Sequence, residues 1–144
     1  MSETSEIRGL SDPREIDASF EVMKQLRPHL ERPTYVTTVQ RLMQGGYRLV
    51  GVVVNGRVEA VAGYRFGESL AWDKFLYVDD LVTDERGRSK GHGKLLLDWL
   101  KLEAVAHDCR ELHLDSGVHR FDAHRFYLRE RMNITSHHFQ IRVR

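Results

Sequence analysis

The residues best suited to chemistry lie in one basic, glycine-rich segment, RGRSKGHGK, which runs from Arg86 to Lys94. A strand-like apolar run ends before this segment, and a helical pattern begins at Gly91. Backbone amides at the start of a helix have no partners within the helix and carry partial positive charge. The segment therefore predicts an anion site, most simply one for a phosphate or pyrophosphate.

Two well-known phosphate motifs do not match this segment. The Walker pattern requires a glycine where Arg88 stands, and a serine or threonine where Leu95 stands. The dinucleotide fingerprint requires a third glycine at the position of Leu96. A nucleotide site of another kind remains only as a weaker alternative.

The elements that must position this loop follow from hydrophobic periodicity. Asp12 and Glu15 predict a capping box, with Pro13 at the first position of the helix that follows. Asn55-Gly56 between two valine-rich runs predicts a tight hairpin. The predicted strands are 5–10, 47–54, 57–66, 75–83, 111–115 and 134–143. The predicted helices are 13–30, 33–44, 91–107 and 121–131.

This order, β-α-α-β-β-β-α-β-α-β, predicts an α/β (α+β) fold with one mixed central sheet and helices on both faces. The connection around residues 91–107 is expected to be a right-handed crossover between parallel strands. A chain of 144 residues without repeats or a linker is expected to form a single domain over residues 1–144.

Composition narrows the class of protein further. Lys and Arg number 22 against 21 Asp and Glu, so the net charge of +1 does not favour a nucleic-acid partner. No apolar run approaches the roughly 20 residues that span a bilayer, and we expect a cytoplasmic protein without a membrane partner. The pairs His119/His124 and His137/His138 lack a metal-ligating spacing, so no metal site is expected.

Several motifs together resemble the GNAT superfamily of N-acetyltransferases. Arg88-x-x-Gly91-x-Gly93 is similar to that family's acetyl-CoA loop, and the helix that follows begins with a leucine run. An acidic strand, Tyr77-Val-Asp-Asp-Leu-Val82, precedes the loop. Ala123-His-Arg-Phe126-Tyr127 resembles the family's Ala-x-x-Phe-Tyr signature. The resemblance covers essentially the whole chain and extends to the predicted order of elements.

The resemblance implies acetyl-CoA as co-substrate, bound where the fourth and fifth strands separate. Backbone groups at the end of the fourth strand would hold the pantetheine arm, and amides of the loop would hold the pyrophosphate. The residues implied in cofactor binding are Leu81, Val82, Thr83, Arg88, Ser89, Lys90, Gly91, His92, Gly93 and Lys94.

The resemblance also implies catalytic roles. Tyr127 would be the general acid that protonates the leaving thiolate, because a phenol with a pKa of ~10 is a proton donor at neutral pH. Asp79 and Asp80 are candidate bases, and strand alternation predicts that their side chains point to opposite faces. Asp79 is favoured because some relatives that acetylate polyamines carry an acidic base at this strand position. Asp80 and a water chain remain alternatives.

Two departures from the family pattern stand near the end of the chain. Arg120 replaces an asparagine found in many members, and Arg131-Met132 replaces a Gly-Phe pair. The implied reaction is direct transfer of acetyl to a primary amine of a small molecule or a protein. A non-catalytic acyl-CoA-binding module is the alternative function. The oligomeric state is left open, with a homodimer as one alternative because many relatives dimerise.

Overall fold

A computed structural model describes residues 4–144 of the chain. Its strands are β1 (Ser5–Gly9), β2 (Arg48–Val54), β3 (Arg57–Ser69), β4 (Asp73–Thr83) and β5 (Glu111–Leu114). Its helices are α1 (Pro13–Ala18), α2 (Phe20–Leu26), α3 (Arg32–Gln44), α4 (His92–Ala106) and α5 (Phe121–Arg129), with a 3₁₀ turn over Glu85–Gly87. Every predicted element is present except the last strand.

The first predicted helix begins as expected but is divided at Ser19. The Asp12 carboxylate accepts a hydrogen bond from the Glu15 amide at 2.8 Å, and the Glu15 side chain completes the capping box. The buried Ser19 hydroxyl donates to the Ile16 carbonyl at 2.6 Å and also bonds the Tyr35 hydroxyl. Because this side chain satisfies a helical carbonyl, the backbone turns there and continues as α2.

The sheet has the strand order β1-β2-β3-β4-β5, and the first four strands pair antiparallel. The predicted hairpin between β2 and β3 is present, with φ values of 51° at Asn55 and 78° at Gly56. These positive angles are those that a tight two-residue hairpin requires. β4 and β5 are joined through α4, and this crossover pair makes the sheet mixed, as predicted.

Helices cover both faces of the sheet, as the fold class predicts. Val61 of β3 packs in one core cluster with Ile16, Phe20 and Tyr35 from α1, α2 and α3. Tyr64, three residues later, faces the opposite side, where its hydroxyl donates to Glu103 of α4 at 2.8 Å. The strand alternation therefore sorts the apolar residues between two helical layers.

The predicted strand 134–143 is wrong, because residues 132–144 contain neither helix nor strand. Phe139, Ile141 and Val143 alternate as a strand would, yet each is at least 85% exposed. A strand exists only when a neighbouring strand pairs with its backbone groups. Within residues 4–144 no strand pairs with this segment, so its alternation alone does not produce one.

By compactness the chain divides into two units. The first ends at His113 and contains nearly all of the sheet, and the second comprises Leu114–Arg144 with α5. Among the described residues, no helix is both long and apolar enough to cross a membrane.

Candidate active site

The glycine-rich loop leaves β4 at a firmly anchored residue, Asp84. The Asp84 amide donates to the Glu59 carbonyl at 2.8 Å, which continues the pairing of β3 with β4 by one residue. The Asp84 carboxylate is 1% exposed and accepts hydrogen bonds from Arg86 and from Gln25 of α2. Gln25 also accepts from the Glu85 amide at 2.9 Å. Helix α2 and the sheet together therefore fix where the loop begins.

The Arg86 guanidinium beside Asp84 holds the pKa of this carboxyl well below its ordinary value. A carboxyl whose pKa is lowered by folding contributes stability above the pKa of the unfolded chain, ~4, and loses it as the pH falls further. We expect Asp84→Asn to lower the free energy of unfolding by about 2 kcal/mol at pH 7. The difference from wild type should shrink towards pH 3, measured by urea denaturation.

A matched control for this substitution is Glu85→Gln. Glu85 is the next residue and is exposed, and its contact with Gln25 uses only its backbone amide. Glu85→Gln should change the stability by less than about 0.5 kcal/mol. A deficit in Asp84→Asn that stayed constant from pH 7 to pH 3 would show that the Asp84 charge is not what stabilises the loop.

The loop itself presents unbonded backbone amides, as the sequence predicts. Ser89 and Gly91 adopt left-handed φ values of 78° and 81°. In α4 the Leu95 amide donates to the Gly91 carbonyl at 3.0 Å. Among the described residues, the amides of Ser89, Gly91, His92 and Gly93 make no hydrogen bond. Free amides at a helix N-terminus carry partial positive charge, so this arrangement suits an anion.

Gly91 leaves room for a ligand to approach the backbone of the loop, because an added Cβ there would meet nothing within 4 Å. The space in front of its backbone is open, and its left-handed φ disfavours other residue types. Gly87, by contrast, is buried, and a Cβ there would lie 3.3 Å from a Glu59 carboxylate oxygen. One glycine therefore faces the anion site, and the other lets the loop pack on the sheet.

The predicted basic side chains are divided between two roles. Arg88 and Lys90 are exposed beside the free amides. Arg86 is paired with Asp84, and the Lys94 ammonium lies 3.2 Å from Asp98 within α4. The His92 ring is buried, and within residues 4–144 its Nδ1 atom has no hydrogen-bond partner. His92 therefore presents its backbone amide to the anion site rather than its ring.

The end of β4 extends beyond its neighbour β5, which gives the predicted cofactor strand one open edge. The Arg110 amide donates to the Lys74 carbonyl at 2.8 Å, so β5 begins beside the start of β4. β5 has four residues and β4 has eleven. Parallel strands that start together advance together, so β5 ends before Leu81, Val82 and Thr83. These three residues pair with β3 on their other edge.

The expectation that Asp79 and Asp80 point to opposite faces does not hold. Gly63 pairs with Asp80 and Tyr64 with Val78, so Asp79 is the extra residue of a β-bulge. A bulge interrupts the strict alternation of a strand. Asp80 accepts from Tyr47 at 2.7 Å, while Asp79 accepts from Arg65 at 2.9 Å.

These two partners show that both carboxylates lie on one face. Tyr47 packs in the core cluster on the face covered by α1, α2 and α3. A Cβ added at Gly63 would meet Tyr47, so position 63 of β3 faces that same side. Arg65 lies two residues further along the strand and therefore faces the same side. Asp79 and Asp80 therefore lie on the same side of the sheet, contrary to the expected alternation.

Tyr127 lies in the second unit, on α5, and is partly buried. Burial raises the pKa of its phenol above the ordinary value, and Arg120 partly opposes that rise. The phenol is therefore protonated throughout the neutral range, as a general acid requires. Its ring packs beside Phe126, with ring centroids 5.4 Å apart.

Two residues that the sequence analysis missed contact Asp80. The Arg27 guanidinium and the Tyr47 phenol both donate to Asp80, from positions 53 and 33 residues away in the chain. No local motif marks either residue, and only the fold brings them together. Within the described part of the chain, no group of three His, Cys, Asp or Glu residues is arranged to hold a metal ion.

Comparison with known proteins agrees with this geometry. The model of the acetyltransferase (GNAT) family matches residues 14–132. The chain is 34% identical over 122 residues to an uncharacterized N-acetyltransferase, YhdJ, of Bacillus subtilis (strain 168), covering 84% of this chain and 86% of that protein. The chain therefore belongs to the GNAT acetyltransferase family. Membership makes it an acetyl-CoA-dependent acetyltransferase.

Two solved structures show the same fold at low sequence identity. The aminoglycoside N-acetyltransferase AAC(6')-Iy in complex with CoA has a TM-score of 0.87 at 14% identity, covering 100% of this chain and 97% of that one. Glucosamine-6-phosphate N-acetyltransferase from Arabidopsis thaliana has a TM-score of 0.79 at 19% identity, covering 98% and 99%. The predicted fold class is thereby confirmed.

Proposed function

We propose that this protein is an N-acetyltransferase that moves the acetyl group of acetyl-CoA directly to a primary amine. The observation that carries the proposal is the set of free amides of Ser89, Gly91, His92 and Gly93 at the start of α4, next to the open edge of β4. This arrangement suits a ligand that combines a pyrophosphate with an extended, amide-containing arm. Acetyl-CoA has both parts.

In the proposed mechanism the chain binds acetyl-CoA and supplies a group to polarise the thioester carbonyl, a base for the amine and an acid for the thiolate. Backbone groups of Leu81 and Val82 bind the pantetheine arm, and a β4 amide polarises the thioester carbonyl. A carboxylate of the Asp79-Asp80 pair takes the proton from the attacking amine, directly or through water. Tyr127 gives a proton to the departing thiolate.

The acidic pair also favours a cationic acceptor. Asp79 and Asp80 lie together on one face at the bulge, and the Asp79 carboxylate, whose ion pair with Arg65 is exposed, can exchange that partner for an ammonium group. An amine that binds as a cation must still lose a proton before it attacks. AAC(6')-Iy, which shares the fold, is by its name an aminoglycoside acetyltransferase. Polyamines, aminoglycosides and protein or peptide amines are therefore the acceptors to try first.

The test is an acetyl-transfer assay on the purified protein with a polyamine, an aminoglycoside, single amino acids and a lysine-containing peptide. Release of free CoA is followed, and the acetylated product is identified by mass spectrometry. We expect CoA release that requires both protein and amine, and a rate that rises with pH while the amine becomes neutral. Binding of acetyl-CoA without transfer to any amine would instead favour a non-catalytic binding module.

A further inference from the structure

The Arg27 side chain, at the C-terminal end of α2, contacts the β4 bulge from outside the sheet. Its Nη2 atom donates to the Asp79 carbonyl at 2.8 Å, and its Nε atom donates to Asp80 Oδ1 at 2.9 Å. The extra residue of a bulge is left unpaired in the ladder of a sheet. Arg27 thus supplies a partner at the one residue of β4 that has no register partner in β3.

A second donor completes the hold on Asp80. The Tyr47 phenol donates to Asp80 Oδ2 at 2.7 Å, so both carboxylate oxygens are bonded. Burial and the adjacent Asp80 charge strongly raise the pKa of Tyr47, which keeps the phenol protonated. This contact depends on Gly63, because a Cβ there would clash with the Tyr47 hydroxyl oxygen.

The side chains of Asp79 and Asp80 therefore differ in how firmly they are held. Asp80 is 15% exposed and tied to both Arg27 and Tyr47. Asp79 is 29% exposed, and its carboxylate bonds the half-exposed Arg65. Exposed ion pairs of that kind are weak and exchange readily with other partners. Asp79 can therefore turn to an acceptor amine, while Asp80 belongs to the structure that holds the bulge.

We propose that Arg27 is a positioning residue. It fixes the β4 bulge so that the β4 backbone amide stays oriented towards the thioester carbonyl of the acetyl group. This inference rests on the proposed function. The geometry requires an arginine, because two parallel donors on one edge of a planar group reach a carbonyl and a carboxylate at once. A lysine keeps the charge but offers a single flexible ammonium, so Arg27→Lys separates charge from positioning.

The test measures the thioester carbonyl stretch of ¹³C-labelled acetyl-CoA bound to the protein, by isotope-edited infrared spectroscopy, beside kcat and KM. For wild type we expect a shift of the stretch to lower frequency. Arg27→Lys and Arg27→Gln should both lose most of that shift. With an amine that wild type acetylates, kcat should fall about 10- to 100-fold while KM for acetyl-CoA changes less than about 3-fold.

Arg32→Gln is the matched control, because Arg32 of α3 bonds the carboxylates of Asp17 in α1 and Glu21 in α2 at 2.8 and 2.7 Å. It should leave the carbonyl stretch and kcat unchanged. Thermal melting of each variant measures folding separately, and Tyr47→Phe provides a second perturbation of the bulge. Its hydroxyl is the only group removed, so a partial loss of the carbonyl shift is expected.

The possible results separate two kinds of failure. A wild-type shift that survives in both Arg27 variants, with normal kcat and only a lower melting temperature, would make Arg27 merely structural and overturn the inference. A bound acetyl-CoA whose carbonyl is unshifted in wild type would contradict the polarising role of β4 in the proposed function itself. Loss of the shift in Arg27→Lys, with acetyl-CoA affinity retained, would support the inference.

Discussion

Gly91→Asp should lower the affinity for acetyl-CoA by about 100-fold or more. The substitution adds a negative charge beside the free amides of residues 89 and 91–93, which would face the proposed pyrophosphate. Two like charges about 6 Å apart, at an effective dielectric constant of about 20, repel by about 3 kcal/mol. That free energy corresponds to a loss of about 100-fold in affinity. Isothermal titration with acetyl-CoA measures the effect.

Gly91→Asn is the matched control, because it has nearly the same size without the charge. Both side chains meet the same backbone strain at a φ of 81°, and both enter open space. Asparagine is among the residues that tolerate this conformation best. We expect Gly91→Asn to retain most of the affinity. Equal binding by the aspartate and asparagine variants would mean that no anion sits at this loop.

Tyr127→Phe should lower kcat about 100-fold and change the dissociation constant of acetyl-CoA less than about 3-fold. General acid catalysis typically contributes 10²- to 10⁴-fold, and removing only the hydroxyl leaves the ring to pack beside Phe126. Because burial raises the pKa of Tyr127, wild-type kcat should show no fall due to its ionisation below pH ~10. Steady-state kinetics over a pH series measure kcat and its pH profile, and isothermal titration measures the dissociation constant of acetyl-CoA.

Tyr35→Phe controls for the loss of a phenol as such. Tyr35 is buried and bonds the Ser19 hydroxyl at 2.7 Å, in the packing between α1 and α3. Its replacement should cost about 1 kcal/mol of stability and leave kcat unchanged. A Tyr127→Phe variant that turns over at the wild-type rate would remove Tyr127 from the mechanism.

The features that the sequence predicted correctly are those determined by a few adjacent residues. The Asp12–Glu15 capping box, the Asn55-Gly56 hairpin and the free amides at the start of α4 each depend on local backbone preferences. Their physical causes act within one or two turns of the chain. Residue type and spacing were therefore enough to predict them.

The β4 bulge could not be predicted in this way. Val78 and Val82 are four residues apart, so strict alternation places both on one face. In the structure Val78 pairs with Tyr64 on the α4 face, while Val82 packs in the opposite core cluster. Both faces are apolar, so the change of face leaves no trace in the pattern. The contacts of Arg27 and Tyr47 with Asp80 follow from the bulge and are equally hidden.

For segment 134–143 the sequence predicted a strand that the structure does not form. Its alternating apolar residues fit a strand, but a strand is a property of a pair of segments. Alternation shows that a segment is able to present one apolar face and does not supply the neighbour. The prediction failed because hydrogen-bond partners in a sheet are non-local.

The most direct measurement is isothermal titration of the wild-type protein with acetyl-CoA, with ATP and NAD as controls. The central claim is that the loop from Arg88 to Lys94 and the open edge of β4 form an acetyl-CoA site. We predict micromolar binding of acetyl-CoA, about −8 kcal/mol, and no comparable binding of ATP or NAD. Absence of acetyl-CoA binding by the folded protein, or tighter binding of either nucleotide, would contradict the claim.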